Sequence, residues 1–257
     1  MCGIVGFTGS VEAKNILLEG LKRLEYRGYD SAGIAVYNGH SIEVVRRLGK
    51  VSELVGAVGE QDCKGFCGIG HTRWATHGSP SERNAHPHTS CANDIAVVHN
   101  GIIENFAELR EELTERGHCF SSDTDTEVVA HLIEDAYDGD LLQAVQKATS
   151  RLIGAYGLAV IAEEDPQTIV VTRKASPIVL GVGSDGSYVA SDIIALIDAT
   201  RDVVILEDNQ FAVMKPEGIR YFDERGSEIE PEITHIDWDI DVAEKGGYPD
   251  FMLKEIH

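Results

Sequence analysis

The sequence has few basic residues. Only 22 of its 257 residues are Lys or Arg, against 43 Asp or Glu, so the formal net charge is −21 at pH 7. Such a surface repels a phosphate backbone, which argues against nucleic-acid binding. Hydrophobic residues still make up 43% of the chain, which is enough for a substantial core.

Long apolar runs and paired cysteines are also missing. No segment approaches the roughly 18 consecutive apolar residues that a membrane span needs, and the N-terminus lacks the basic and apolar regions of a secretory signal. The five cysteines are odd in number and show no paired spacing, which argues against a disulfide framework. We therefore expect a cytoplasmic protein that inserts into no membrane.

No spacing in the chain matches a familiar metal or cofactor site. Cys63 and Cys67 lie four positions apart, but no second pair follows at zinc-finger spacing. Several histidines have few acidic neighbours and form no helical HxxxH pattern: His71, His77, His86, His88 and His99. The Gly-rich loops carry no phosphate or dinucleotide fingerprint. The sequence therefore predicts no metal and no cofactor.

Hydrophobic periodicity predicts four helices and many short strands. The helices are expected at 11–25, 104–116, 126–137 and 141–152, where apolar residues recur with helical spacing or cap and stop residues flank the segment. Short runs rich in β-branched residues predict strands at 4–7, 33–37, 42–46, 95–98, 158–162, 169–172, 178–180, 203–206, 211–214 and 219–222. Because strands come in groups, we expect an α+β protein with mixed or antiparallel sheets.

The chain begins Met-Cys-Gly, which offers a nucleophile. Removal of Met1 would make Cys2 the N-terminal residue, and its free α-amino group, with a pKa of roughly 7.7–8.0, could act as general base for the thiol. Gly3 leaves space beside it. The alternative is an ordinary buried cysteine at the start of a strand.

The segment HTRWATHG at 71–78 follows an apolar run and is predicted to be a strand that continues into a loop. Arg73 can bind a carboxylate with two parallel hydrogen bonds. Thr76 and His77 offer further polar contacts, and Trp74 can form a wall or lid. The alternative is a strand end with a salt-bridged arginine.

Asn100 and Gly101 follow a predicted strand. The amide of Asn100 and the backbone N–H of Gly101 could together face a developing oxyanion. Asn-Gly is also the commonest tight-turn dipeptide, so a simple turn at the end of the strand is the alternative.

Asp125 lies in an acidic segment before a predicted helix. Acidic residues there stabilise the helix through its dipole, but a carboxylate could also bind an ammonium group. A thiol with its own amine, an oxyanion hole, one Arg and one Asp together suit an α-amino acid with an acyl side chain. Glutamine is the natural candidate.

Five motifs resemble the class II glutamine amidotransferases, which are N-terminal nucleophile hydrolases. They are CGIVG at 2–6, RLEYRGYDSAG at 23–33, HTRWATHG at 71–78, HNGIIEN at 99–105 and TDTEV at 124–128. The segments EYRGYDSAG and HTRWATHG are similar to the corresponding motifs in the branch of glutamine–fructose-6-phosphate aminotransferases.

The resemblance implies a four-layer αββα sandwich over residues 1–240, with 241–257 leading to sugar-isomerase domains that this chain does not contain. It implies a homodimeric full-length protein and assigns roles to the following residues. The catalytic residues are Cys2, Asn100, Gly101 and, near the nucleophile, Arg27; the substrate-binding residues are Arg73, Trp74, Thr76, His77 and Asp125.

The activity implied is hydrolysis of L-glutamine through a Cys2 thioester, with the ammonia delivered to fructose 6-phosphate elsewhere in the full-length protein. Two alternatives stay open from the sequence. One is the glutaminase part of another class II enzyme, such as the phosphoribosyl type, and the other is a domain that binds glutamine without turnover.

Overall fold

A computed structural model describes residues 2–61, 63–75 and 77–237 of the protein. Five α-helices lie in these ranges: α1 (Ala13–Leu24), α2 (Val51–Glu60), α3 (Phe106–Glu115), α4 (Glu127–Ala136) and α5 (Leu141–Thr149). None of these helices has the length and apolar character needed to cross a membrane.

Two antiparallel sheets form the centre of the described region. The first has eight strands: β1 (Gly3–Gly9), β2 (Ser31–Tyr37), β3 (Ile42–Leu48), β4 (Cys67–Arg73), β9 (Val179–Val182), β10 (Gly186–Ala190), β11 (Asp202–Ile205) and β15 (Ile233–His235). The second has seven: β5 (His88–Thr89), β6 (Ile95–Ile103), β7 (Gly154–Ala162), β8 (Ile169–Lys174), β12 (Phe211–Lys215), β13 (Gly218–Phe222) and β14 (Glu228–Ile229). The strand orders are β15-β11-β9-β10-β1-β4-β2-β3 and β14-β13-β12-β8-β7-β6-β5.

Three hydrophobic cores hold four layers together. The first lies between α1–α2 and the outer face of the first sheet, the second between α3–α5 and the second sheet, and the third between the two sheets. The position of β1 between two of these cores explains why its sequence is almost wholly apolar. Successive side chains alternate between faces, so Val5 and Phe7 enter the helix-side core while Ile4 enters the core between the sheets.

The predicted αββα sandwich is confirmed, and the four predicted helices are all present. Helix α2 was not predicted, although Val51, Leu54, Val55 and Val58 have helical spacing. Residues 241–257, predicted to be a connection to further domains, lie outside the described residues.

One strand prediction was wrong at a place that affects function. Strand β6 does not end at Asn100–Gly101 but runs through it to Ile103, paired with β7 along its whole length. Gly101 pairs with Tyr156, and its φ of 131° is a conformation that favours glycine. Pairing with β7 keeps Asn100 and Gly101 in the strand and prevents a turn there. Local sequence preference does not reveal this pairing.

Candidate active site

Cys2 lies at the start of β1, beside the end of β4. The backbone N–H of Trp74 points to Cys2 Sγ at 3.2 Å, and the thiol lies 3.6 Å from the Trp74 carbonyl. Burial raises the pKa of the Cys2 thiol, although the Trp74 N–H and the charge of Arg73 oppose that shift. The thiol therefore needs a base to become a nucleophile at neutral pH.

Asn100 and Gly101 face Cys2 from the second sheet. Nδ2 of Asn100 donates to the carbonyl oxygen of Cys2 at 3.3 Å, and Gly101 lines the same cleft as the thiol. A Cβ at Gly101 would lie 2.0 Å from the carbonyl oxygen of Ala155, so no larger residue fits without moving β7. The amide group and this exposed stretch of backbone thus lie beside the nucleophile.

Arg73 is the last residue of β4 and is only 3% exposed. Its Nη2 donates to the carbonyls of Gly78, at 2.9 Å, and His77. Its Nη1 lies 3.7 Å from Asp30 and makes no hydrogen bond within the described residues. The guanidinium therefore holds the loop after β4 through Nη2, and Nη1 remains available to donate to a ligand.

Asp125 lies just before α4 and is 4% exposed. Its Oδ2 accepts a hydrogen bond from the backbone N–H of Ile103 at 2.8 Å, which ties it to the end of β6. Among the described residues it pairs with no cation, although it lines the cleft with Arg73. A buried carboxylate without a counter-ion is costly, and a substrate ammonium would supply the missing charge.

The cleft is small. Its free volume is about 10 Å³, room for about one water molecule. His77 lines it and packs edge-on against Phe106, and Trp74, 55% exposed, covers it from outside. A larger cleft of about 590 Å³ lies elsewhere, near Arg173 and Glu230, but its described lining includes no cysteine, serine or histidine. A substrate must therefore open the smaller one.

One predicted site residue does not line the cleft, and another lies outside the described residues. Arg27 does not line the cleft; it pairs with Asp192 at 2.6 Å. Its Nη1 also lies 3.5 Å from Ser191 Oγ, and that hydroxyl accepts from the N–H of Ile4, so Ser191 connects Arg27 to the nucleophile strand. Thr76 lies outside the described residues.

Sequence reasoning missed a layer of buried histidines at the cleft, of which His86 and His99 line it. The rings of His71 and His86 stack with centroids 4.1 Å apart. His86 Nε2 and His99 Nδ1 lie 2.9 and 2.8 Å from the hydroxyl of Thr126. Burial lowers the pKa of His71 to about 3 and that of His99 below its usual value, so these rings are neutral. The run of histidines was visible in the sequence, but their depth was not.

Asp30 is a second missed residue. It accepts the backbone N–H of Ala75 and, through Oδ1, the hydroxyl of Ser31 at 2.8 Å. Its own N–H donates to the Arg73 carbonyl at 2.7 Å. Asp30 thereby fixes the start of the loop that carries Trp74 and His77. Its place in the motif RLEYRGYDSAG was the available signal.

Comparison with known proteins finds glutamine amidotransferases. A family described as "Glutamine amidotransferase domain" matches residues 71–198. Glutamine–fructose-6-phosphate aminotransferases of Clostridium tetani and Symbiobacterium thermophilum are 51% and 52% identical over all 257 residues. The chain spans 42% of the length of these relatives.

The fold is similar to that of a solved class II enzyme. Glutamine phosphoribosylpyrophosphate amidotransferase from B. subtilis superposes with a TM-score of 0.76 over 87% of this chain and 49% of that one, at 29% identity. The match to the aminotransferases is thus both closer in sequence and complete along the chain. The chain belongs to the glutamine amidotransferase domain family and has its class II, N-terminal nucleophile fold.

Proposed function

We propose that this chain hydrolyses L-glutamine to glutamate and ammonia. The observation that carries the proposal is the convergence, at one cleft, of Cys2, Arg73, Asn100–Gly101 and Asp125. The cleft holds one buried cation and one buried anion beside a thiol. These are the three features that the carboxylate, the ammonium and the side-chain amide of glutamine require.

The reaction begins at the thiol. After removal of Met1, the α-amino group of Cys2 accepts the thiol proton, and Sγ attacks the amide carbon of glutamine. The amide carbonyl becomes an oxyanion that the side-chain amide of Asn100 and the N–H of Gly101 stabilise. The protonated amine then gives its proton to the leaving nitrogen. The C–N bond breaks, ammonia departs and a γ-glutamyl thioester remains on Cys2.

Water completes the cycle. The amine takes a proton from water as its oxygen attacks the thioester carbon, and the C–S bond breaks when the oxyanion collapses. The thiolate recovers the proton and glutamate leaves. Arg73 and Asp125 hold the α-carboxylate and α-ammonium throughout, with Thr76 and His77 as additional contacts and Trp74 as a cover. Arg27 positions the nucleophile strand.

The use of the ammonia belongs to the longer protein. By analogy with the relatives, we propose that it is delivered to fructose 6-phosphate to form glucosamine 6-phosphate. This would occur in a homodimeric cytoplasmic enzyme whose sugar-isomerase domains follow residues 241–257. Residues 1–240 would then form the glutaminase domain.

Glutamate release by the purified chain tests the proposal. Cys2→Ala should abolish it, whereas Cys119→Ser, which changes an exposed cysteine, should keep the wild-type rate. Equal rates for wild type and Cys2→Ala would overturn the proposal. Intact mass should show loss of Met1, and a preparation that keeps Met1 should be inactive because its α-amino group no longer belongs to Cys2.

A further inference from the structure

A second cluster of reactive side chains lies away from the cleft. Cys91, His118, His131 and Glu134 each offer one ligand atom, and all these atoms lie within 4.8 Å of one another. Cys91 lies in the turn between β5 and β6, His118 follows α3, and the other two lie on α4. His131 and Glu134 are three positions apart, so they share one helix face.

Four of the distances between the ligand atoms suit a zinc ion. Cys91 Sγ lies 3.5 Å from Nδ1 of both His118 and His131. Glu134 Oε2 lies 3.0 and 3.2 Å from the same two nitrogens. Zinc bonds of about 2.3 Å to sulfur and 2.0–2.1 Å to nitrogen or oxygen, at tetrahedral angles, separate S and N by about 3.5 Å and N and O by about 3.3 Å. The four distances agree with these values.

Asp135 orients the ring of His118 so that one nitrogen faces the cluster. His118 Nε2 lies 3.0 Å from Asp135 Oδ1, and Asp135 is itself paired with Arg116 at 2.5 Å. A carboxylate only accepts, so Nε2 donates to Asp135, and Nδ1 is the ring nitrogen that faces the cluster. Such carboxylate–histidine pairs orient the ligands of metal sites.

We propose that Cys91, His118, His131 and Glu134 form a structural zinc site. A thiolate, two imidazoles and one carboxylate suit zinc better than magnesium or calcium, which prefer oxygen ligands alone. All four positions of a tetrahedron come from the protein, which is typical of a structural rather than a catalytic ion. The sequence predicted no metal because these ligands come from three separate segments with no finger-like spacing.

The site would fix two elements that lead to the cleft. Cys91 precedes β6, which carries Asn100 and Gly101, and Asp125 precedes α4. A zinc ion that joins the turn to the helix would hold the oxyanion-hole strand and the ammonium-binding carboxylate in register. The proposal does not rest on glutamine hydrolysis, since zinc content and stability can be measured in an inactive chain.

Metal analysis of the whole chain tests the site. An N-terminal Cys2 could itself chelate zinc, so all variants are made in the Cys2→Ala background. After dialysis against metal-free buffer we expect about one zinc per chain. Cys91→Ser and His118→Ala, at exposed and half-buried positions, should each reduce this to about a tenth. The matched controls Cys119→Ser and His40→Ala should keep it.

Two further measurements separate a specific site from surface binding. Cobalt(II) should replace zinc and give a thiolate charge-transfer band that Cys91→Ser removes and Cys119→Ser keeps. A chelator should lower the unfolding temperature of the parent but not of Cys91→Ser. The proposal is overturned if the parent binds no stoichiometric zinc, or if both ligand variants keep it.

Discussion

His71 holds the side-chain amide of Asn100 in one orientation. Its Nε2 lies 2.9 Å from the carbonyl oxygen of His99 and 3.0 Å from Asn100 Oδ1. A backbone carbonyl only accepts, so Nε2 carries the proton and Oδ1 is an acceptor. The other end of the amide, Nδ2, therefore points to Cys2. A buried ring that never charges at neutral pH thus decides which way the oxyanion-hole donor points.

His71→Leu should reduce turnover without weakening glutamine binding. The variant lacks the donor that orients Asn100, so part of the roughly 10²–10³-fold contribution of an oxyanion-hole donor should be lost from kcat. His71→Gln, which can still donate, should lose less. Steady-state glutamate release measures kcat and KM separately. Alkylation of Cys2 by iodoacetamide should keep its rate; a parallel fall in alkylation would mean that the nucleophile itself had moved.

Asp125→Asn should raise KM for glutamine by about 10–100-fold, as expected for loss of a hydrogen bond to a charged group. Asn can still accept from the N–H of Ile103 through its oxygen, so the end of β6 should stay in place. Glutamate release over a range of glutamine concentrations measures the change, and thermal unfolding checks the fold.

A substrate without the α-amino group makes this test specific. Glutaramate, which keeps the amide and the carboxylate, should be a much poorer substrate than glutamine for the wild type. Asp125→Asn should discriminate between the two far less, because the ammonium contact is already lost. If the variant keeps full discrimination, Asp125 does not bind the ammonium.

The sequence predicted the layers and the main chemical groups because these depend on local patterns. Leu17, Leu21 and Leu24 recur with helical spacing and are fully buried under the first sheet. The motif residues Cys2, Arg73 and Asp125 lie in one cleft as expected, although their individual roles stay predictions.

What the sequence did not predict depends on contacts between distant segments. The continuation of β6 through Asn100–Gly101 is set by pairing with β7, and Asn-Gly by itself favours a turn. Arg27 pairs with Asp192, which is 165 positions away in the sequence. His71 contacts Asn100, which is 29 positions away. No periodicity in the chain specifies such pairs.

Gly28→Ala should displace the ring of Trp74. Gly28 has a φ of 106°, and a Cβ there would lie 2.3 Å from Cε3 of Trp74. We expect a loss of unfolding free energy of more than about 1 kcal/mol, since alanine is strained at positive φ. In a Trp238→Phe background, the emission of Trp74 should also shift as the ring moves.

A second background separates the two causes of that loss. With Trp74→Ala in place the clash is absent and only the backbone strain remains, so Gly28→Ala should cost less there than in the parent. Urea unfolding of the parent, the two single variants and the double variant gives the coupling free energy between the two positions. An equal cost in both backgrounds would show that the ring and the glycine do not interact.

His88 should make the protein less stable as the pH falls. Burial lowers the pKa of His88 to about 3. The positive charges of Arg46 and Arg73 also lower it, and the negative charge of Glu127 opposes this shift. The unfolded chain binds a proton at His88 near pH 6.5, whereas the folded chain does not. Stability from the neutral ring is therefore complete above about pH 6.5 and is lost progressively as the pH falls toward 3.

His88→Gln should flatten this dependence. The wild-type curve should contain up to about 1.4 kcal/mol per pH unit from this one group below pH 6, and the variant should lack it because glutamine does not titrate. Urea unfolding between pH 5 and pH 7.5 gives the two slopes. His40→Gln, at an exposed turn position, should leave the slope at the wild-type value. Identical slopes for wild type and His88→Gln would mean that His88 takes up its proton without unfolding.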